Sequence, residues 1–290
     1  MVVQPSMLYV VATPIGNLSD MTPRAVEVLA QVDMIAAEDT RHSRPLLAHF
    51  GIKTPLHSCH AFNEAGKAAF FVQALRAGKS VALISDAGTP CISDPGYLLI
   101  HAAAEAGFAV VSVCGASAVV AALSVSGFDA SRFSFIGFFP RKKAQMEAQL
   151  QEIIHRGEPM VFYESPKRII KTMQCFAAHA PDMQVCLCND LTKKFERIYR
   201  GTPDEVAAQL SDNPAAEKGE YACVVNSAPT THIPAELSTT ISLEAQIVEI
   251  MVQQACDFKT AAAILHAQPP KLSKKEIYAA TLRVKKLISV

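Results

Sequence analysis

The 290-residue chain has no excess of either charge: 27 lysines and arginines stand against 27 aspartates and glutamates. Nothing in that balance announces a surface built as a whole to bind nucleic acid. No uncharged run approaches the length of a membrane span, and the N-terminus shows no basic stretch leading into an apolar core and a small-residue cleavage site. The expectation is a cytoplasmic protein with no membrane contact. The eight cysteines are scattered. Only Cys186 and Cys188 are spaced to share a strand face, and with no second pair and no histidine at ligand spacing, neither zinc nor a disulfide framework is expected. The turn after the first apolar run, TPIGNL at 13–18, has a single glycine. A dinucleotide fingerprint needs three, so a nicotinamide or flavin dinucleotide is not expected.

Half of the residues are hydrophobic, and the length suffices for two domains with cores of their own. The organising stretch is VALISDAGTPCISDPG at 81–96. Its apolar start, without polar alternation, predicts a strand buried on both faces of a parallel sheet. The glycines, prolines, serines and aspartates that follow predict a stiff loop at the strand's carboxyl end, where open α/β sheets place their ligands. Gly88 permits close backbone approach, and Asp86, Thr89, Ser93 and Asp94 offer acceptors and hydroxyls. The plainer alternative is a well-capped surface loop before the helix that starts near Tyr97.

In chain order, 7–12 (MLYVVA) predicts the first strand and Thr22-Pro23 the start of the first helix. A second strand at 34–37 runs into Glu38-Asp39-Thr40-Arg41-His42. That cluster either accepts from a ribose hydroxyl or caps a helix at about 45–50. His57, His60, Asn63 and Glu64 read as loop filler or as a second wall of a site. A strand at 110–113 leads to CGASA at 114–118, whose small residues either open helix N–H groups to a ligand or serve tight packing. Strands at 133–138, 160–163, 185–189, 195–199 and 221–226 alternate with helices, including one after Pro166, in a second α/β half. A Pro- and Thr-rich linker at 230–240 precedes three helices. Residues 271–290 carry Lys271, Lys274, Lys275, Arg283, Lys285 and Lys286 against one acid, Glu276. That tail suits a polyanionic partner, and equally a plain solvated face.

Several stretches, in order, resemble one family: LYVVATPIGNLSDMTPRA (8–25), AAEDTRHS (36–43), ISDAGTPCISDPG (84–96), GASA (115–118), FIGFFPRK (135–142), FYESPKRI (162–169), LTKKFE (191–196) and KGEYACVV (218–225). The chain thereby resembles the 16S ribosomal RNA cytidine-2′-O-methyltransferases, a branch of the tetrapyrrole methylase superfamily. It differs at Cys114, where the family usually has proline, and at Asn189-Asp190, where Arg-Glu is usual. The resemblance implies an α/β domain at 1–128, a second at 129–229 with the cofactor in the cleft between them, and a helical domain with its linker at 230–290. It also implies S-adenosylmethionine as cofactor, the small ribosomal subunit or its 16S RNA as partner, and a homodimer. Pro14, Asp86, Ala87, Gly88, Thr89, Ile92, Ser117, Ala118, Tyr163 and Ala222 are the expected cofactor residues. Glu38, Asp39 and Glu164 are candidates to take the proton of the ribose hydroxyl, with Arg41 or Lys167 on the target phosphate. The competing readings are a methyltransferase acting on a tetrapyrrole or diphthamide precursor, and a non-catalytic ribosome-binding protein.

Overall fold

In the computed structural model, which describes residues 3–227, 243–254, 256–267 and 273–288, strand β1 (Met7–Val11) lies inside a five-stranded sheet. The order is β3 (Leu56–Ser58), β2 (Met34–Ala37), β4 (Val81–Ile84), β1, β5 (Ala109–Val113), and every pairing is parallel. All four residues of β2 and of β4 are buried, which is why these segments carry no polar alternation. Successive side chains serve opposite faces. Tyr9, Val11, Ile35, Ala37, Ala82 and Ile84 pack in one core, with α1 (Pro23–Gln31). Leu8, Met34, Ala36, Val81 and Leu83 pack in another, under α3 (Glu64–Arg76) and α4 (Tyr97–Glu105). Because the strands are parallel, their carboxyl ends share one edge.

Helix α1 starts as its sequence predicts, with Thr22 Oγ1 accepting the Ala25 N–H at 3.1 Å and Pro23 in the first turn. The next helix does not. Instead of beginning at Pro45, α2 spans Thr40–His49 with Pro45 inside it, because the Asp39 carboxylate caps it by accepting the Arg41 N–H at 2.8 Å. Residues 57–64 are not loop filler either. His57 belongs to β3, Asn63 accepts the His60 N–H at 2.8 Å in a closed turn, and Glu64 opens α3.

The second sheet has the order β6 (Ser134–Phe138), β7 (Met160–Glu164), β10 (Tyr221–Asn226), β8 (Gln184–Asn189), β9 (Arg197–Gly201). β6 and β7 are parallel and the other neighbours antiparallel. Strand β9 begins two residues later than the sequence suggests, since Thr192–Glu196 close a turn in which Glu196 accepts the Thr192 N–H at 2.6 Å. Helix α7 (Ile169–His179) starts three residues beyond Pro166, after a turn closed by Arg168 N–H to the Ser165 carbonyl. Phe139, Phe162 and Phe176 meet in the core beneath it, with ring centroids 4.8–5.8 Å apart.

Both sheets belong to one compact unit, Met1–Ala228. Helix α5 (Ala118–Ser126) joins them: it follows β5, yet Val119, Ala122 and Leu123 bury against Val161, Cys186, Cys188, Ala222 and Val224 of the second sheet. The boundary expected near residue 128 therefore falls beside a helix whose apolar face serves the other half. A second unit, Pro229–Val290, holds the three expected helices, α9 (Leu243–Gln254), α10 (Phe258–Ala267) and α11 (Lys274–Ile288), around Ile247, Ala261, Leu265, Ile277 and Ala280. The linker at 230–240 and Lys271 lie outside the described residues, as do the side chains of Lys274, Lys285 and Lys286. Of the remaining tail cations, Arg283 pairs with Glu244 and Lys275 is exposed.

Candidate active site

Three loops leave neighbouring strands at the carboxyl edge of the parallel sheet and are tied to one another. Thr13, after β1, and Gly88, after β4, donate their backbone N–H groups to each other's carbonyls at 2.9 and 3.0 Å. The Thr13 hydroxyl also donates to the Ser85 carbonyl at 3.3 Å, and the Thr89 hydroxyl to the carbonyl of Ala116, after β5, at 3.0 Å. Gly88 has φ +74°, and a Cβ there would stand 3.2 Å from Ile15 Cγ2, so the residue is glycine for reasons of both conformation and space. The far end of the central loop is anchored through Glu64. Its buried Oε1 accepts the N–H groups of Gly96, Leu98 and Leu99 at 2.9, 2.7 and 3.3 Å and caps α4, which has no side-chain cap of its own.

These loops face the second sheet across a cavity of about 420 Å³, within the range of small-molecule sites. Of the expected cofactor residues, Ala87, Gly88, Thr89, Ile92, Ser117, Ala118, Tyr163 and Ala222 line it. Pro14 and Asp86 do not: Pro14 is buried within the first loop, and Asp86 accepts the Asp39 N–H at 3.1 Å. Sequence reading passed over Phe138, Leu191, Lys193 and Glu220, although each stands in a stretch that carries the resemblance. Lys193 Nζ bridges Asp190 Oδ1 at 2.7 Å and Glu220 Oε2 at 2.8 Å. Burial works against its charge, but these two carboxylates outweigh it and hold the ammonium above its ordinary value. The unusual Asn189-Asp190 pair has local duties. Asn189 donates to the Lys218 and Glu220 carbonyls, and Asp190 also accepts the Glu220 N–H.

Asp94 and Glu220 put carboxylates on the lining. Glu38 does not line the cavity; burial first and Asp94 next hold it above the ordinary carboxylate value. Burial and neighbouring Asp86 raise Asp94 likewise, with the Ser85 side chain working against them. Burial pushes the Tyr163 hydroxyl up to about 12, helped by Asp94 and Glu220. Also on the lining, Ser117 is the N-cap of α5 but makes no side-chain bond to the helix, leaving the first-turn N–H groups open to an anion.

The remaining candidates are placed elsewhere. Asp39 caps α2 and binds Arg41, with Arg41 Nη2 to Oδ2 at 2.6 Å, and these contacts push its carboxyl far down. Glu164 borders the cavity, but its side chain is 0% exposed. Its oxygens accept from the Ser165 N–H and the Thr172 hydroxyl, each at 2.7 Å, and pair with Arg168 at 3.3 Å. A carboxylate so engaged is a strut for the turn at 165–168. Arg168 extends the strut by donating to the Phe139 and Pro140 carbonyls at 3.3 and 2.5 Å. Lys167 is exposed.

Comparison with known proteins converges with this geometry. Residues 7–207 match the family model of the tetrapyrrole (corrin/porphyrin) methylases. The chain is 45% identical over 225 residues to the ribosomal RNA small subunit methyltransferase I of Xylella fastidiosa strain Temecula1, covering 77% of this chain and 82% of that one. Proteins of the same name from Haemophilus influenzae and Synechocystis are 42% and 38% identical, over 89% and 96% of this chain and 90% and 98% of theirs. Among solved structures, the methyltransferase CobJ superposes with a TM-score of 0.57 at 18% identity, over 77% of this chain and 94% of that one. Diphthine synthase does so at 0.55 and 13%, over 76% and 89%. These last likenesses are of fold.

Proposed function

The chain belongs to the tetrapyrrole methylases, within them to the ribosomal RNA small subunit methyltransferase I group, and on that premise we propose that it transfers a methyl group from S-adenosylmethionine to the 2′-hydroxyl of a cytidine in 16S ribosomal RNA. The observation that carries the reading is the pair of ties, Thr13–Gly88 and Thr89–Ala116, which join three loops beside a cavity walled by Tyr163 and Ala222.

The residues fit the cofactor. The uncapped start of α5 at Ser117 and Ala118 suits its carboxylate, and Ile92, Phe138, Tyr163 and Leu191 offer apolar and aromatic surface for its adenine. Asp94 and Glu220 supply negative charge for its cationic portion. When bound, S-adenosylmethionine supplies an electrophilic sulfonium methyl. A ribose hydroxyl is a weak nucleophile near neutral pH, so a group that accepts its proton contributes roughly a hundredfold or more. Glu38 suits that role better than Asp39 or Glu164. Its carboxyl is raised toward the working pH and accepts only a long bond, 3.5 Å, from the Asp86 N–H, whereas the other two are committed to a cap and a strut. Arg41 stays our candidate for the target phosphate. The homodimer and cytoplasmic location belong to the same proposal.

The test is to incubate the protein with unmethylated small ribosomal subunits and S-adenosylmethionine bearing a deuterated methyl, then digest the RNA for mass spectrometry. Labelled 2′-O-methylcytidine is expected. Label on a base, or on no nucleoside, would overturn the proposal.

A further inference from the structure

Phe62 is 99% exposed, yet it does not sit on a loose loop. Its turn is closed by Asn63, which accepts the His60 N–H at 2.8 Å through its side chain and donates its own N–H to the His60 carbonyl at 2.9 Å. The next residue, Glu64, is buried under α4 with three backbone bonds. A phenylalanine so fixed and so wet is costly to display, and the sequence around it indicates what covers it. At the carboxyl ends of β2 and β3 around it stand Arg41, His42, Arg44, His60 and Lys67, with the acids Glu38, Asp39 and Glu64. Glu64 is buried and Asp39 is engaged by Arg41, so the exposed Arg44 is the basic group this margin presents beside Phe62.

The placement relative to the site is set by strand register. Ala37 of β2 pairs with Ser58 of β3, and Cys59 N–H donates to the Ala37 carbonyl at 2.7 Å. Glu38–Arg41 and His60–Phe62 therefore leave the sheet side by side. Strand β3 lies two strand spacings, about 10 Å, from β4 and its cofactor loop. Arg41, with 89% of its side chain exposed, and the exposed Arg44 stand at the start of α2 on the same margin.

We propose that this margin is a docking track for single-stranded RNA, with Phe62 as a platform on which a base flanking the target nucleotide stacks and with Arg44 as a phosphate contact. The proposal rests on the methyltransferase reading and adds to it the class of RNA and the surface that holds it. Stacking on an aromatic face accepts any base and requires it to be unpaired, so the track selects a splayed strand over a duplex. An exposed arginine beside one exposed aromatic is complementary to the alternation of phosphate and base along such a strand.

The experiment measures binding of a fluorescent single-stranded RNA of about a dozen nucleotides, and of the matching duplex, to the full-length protein and its variants across a salt series. Phe62→Ala is expected to weaken single-strand binding about five- to hundredfold without changing the salt slope, and Phe62→Tyr to restore it. Arg44→Ala should lower the slope of log affinity against log salt by about 0.7. S-adenosylmethionine affinity, by calorimetry, and molecular mass, by light scattering, should match the parent in every variant. Unchanged affinity in Phe62→Ala, equal binding of duplex and single strand, no binding of the single strand by the parent, or a change of mass in Phe62→Ala would each overturn the proposal. The last outcome would assign Phe62 to contact with a second copy of the chain. Methyl transfer by the parent, assayed in parallel, keeps failure of this inference separate from failure of the methyltransferase reading.

Discussion

Glu64 Oε1 accepts the Gly96 N–H at 2.9 Å, joining the first residue of α3 to the last residue of the central loop across 32 positions of sequence. The same oxygen takes the N–H groups of Leu98 and Leu99, so one carboxylate satisfies three donors that open α4 and fixes the end of the loop that lines the cavity.

Glu64→Ala should therefore cost stability and ligand affinity together. Loss of hydrogen bonds to a charged acceptor is worth about 1.5–3 kcal/mol here, and Glu64→Gln, which keeps an acceptor, should lose less. Urea denaturation and S-adenosylmethionine calorimetry on the same samples check this. Full stability in the alanine variant would show the cap to be dispensable.

Gly88→Val should abolish S-adenosylmethionine binding while the fold survives. The residue lies at φ +74°, where a β-branched side chain is strained, and its Cβ would press on Ile15, another lining residue. Calorimetry with circular dichroism as the folding control reads the result, and normal binding would exclude the central loop from the site.

Glu38 and Asp94 both hold their protons to higher pH in the folded protein than their ordinary values of 4.5 and 3.8. In that window the folded state binds more protons than the unfolded chain, so these groups lower stability as pH rises through it. Glu38→Gln should be more stable than the parent near neutrality and should lose that advantage below about pH 4.5, as pH-dependent urea midpoints would show. The same variant should lose turnover far more than cofactor affinity, since a proton acceptor matters most in the transition state. Full turnover in Glu38→Gln would remove it from the reaction.

Glu164→Ala tests a strut against a base. It leaves the Thr172 hydroxyl and Ser165 N–H without their buried partner and breaks the Arg168 pair, a loss on the order of 3 kcal/mol. Turnover per folded molecule should fall modestly. A variant of parental stability with no turnover would return Glu164 to the chemistry.

Ending the chain at Ala228 removes a unit with its own core and, among the described residues, none that line the cavity. S-adenosylmethionine affinity should be unchanged. Attachment to the small ribosomal subunit should weaken and its salt slope flatten by about 0.7 for each phosphate that tail lysines and arginines neutralise. An unchanged slope would show those residues to be an ordinary solvated face and leave the margin around Phe62 to carry RNA affinity alone.

The sequence by itself determined most of the strands and the central loop, although it gave no sign of β3 and began β9 two residues early. Val81–Ile84 can only be buried on both faces, and the turn-formers from Ser85 to Gly96 can only build a rigid loop at its end, because these are local consequences of side-chain type and backbone freedom. Eight of the ten expected cofactor residues come from such segments and do line the cavity. Tertiary structure alone decided which carboxylate is free. Asp39, Glu38, Glu64 and Glu164 all stand beside strands or helix starts in sequence, yet one caps its own helix, one is raised by burial and by Asp94, one caps a helix 32 residues on, and one is locked to Thr172 and Arg168. Each outcome depends on donors and charges brought close by sheet order and helix packing. The same holds for α5, whose apolar face gives no sign in sequence that it covers the second sheet rather than the first.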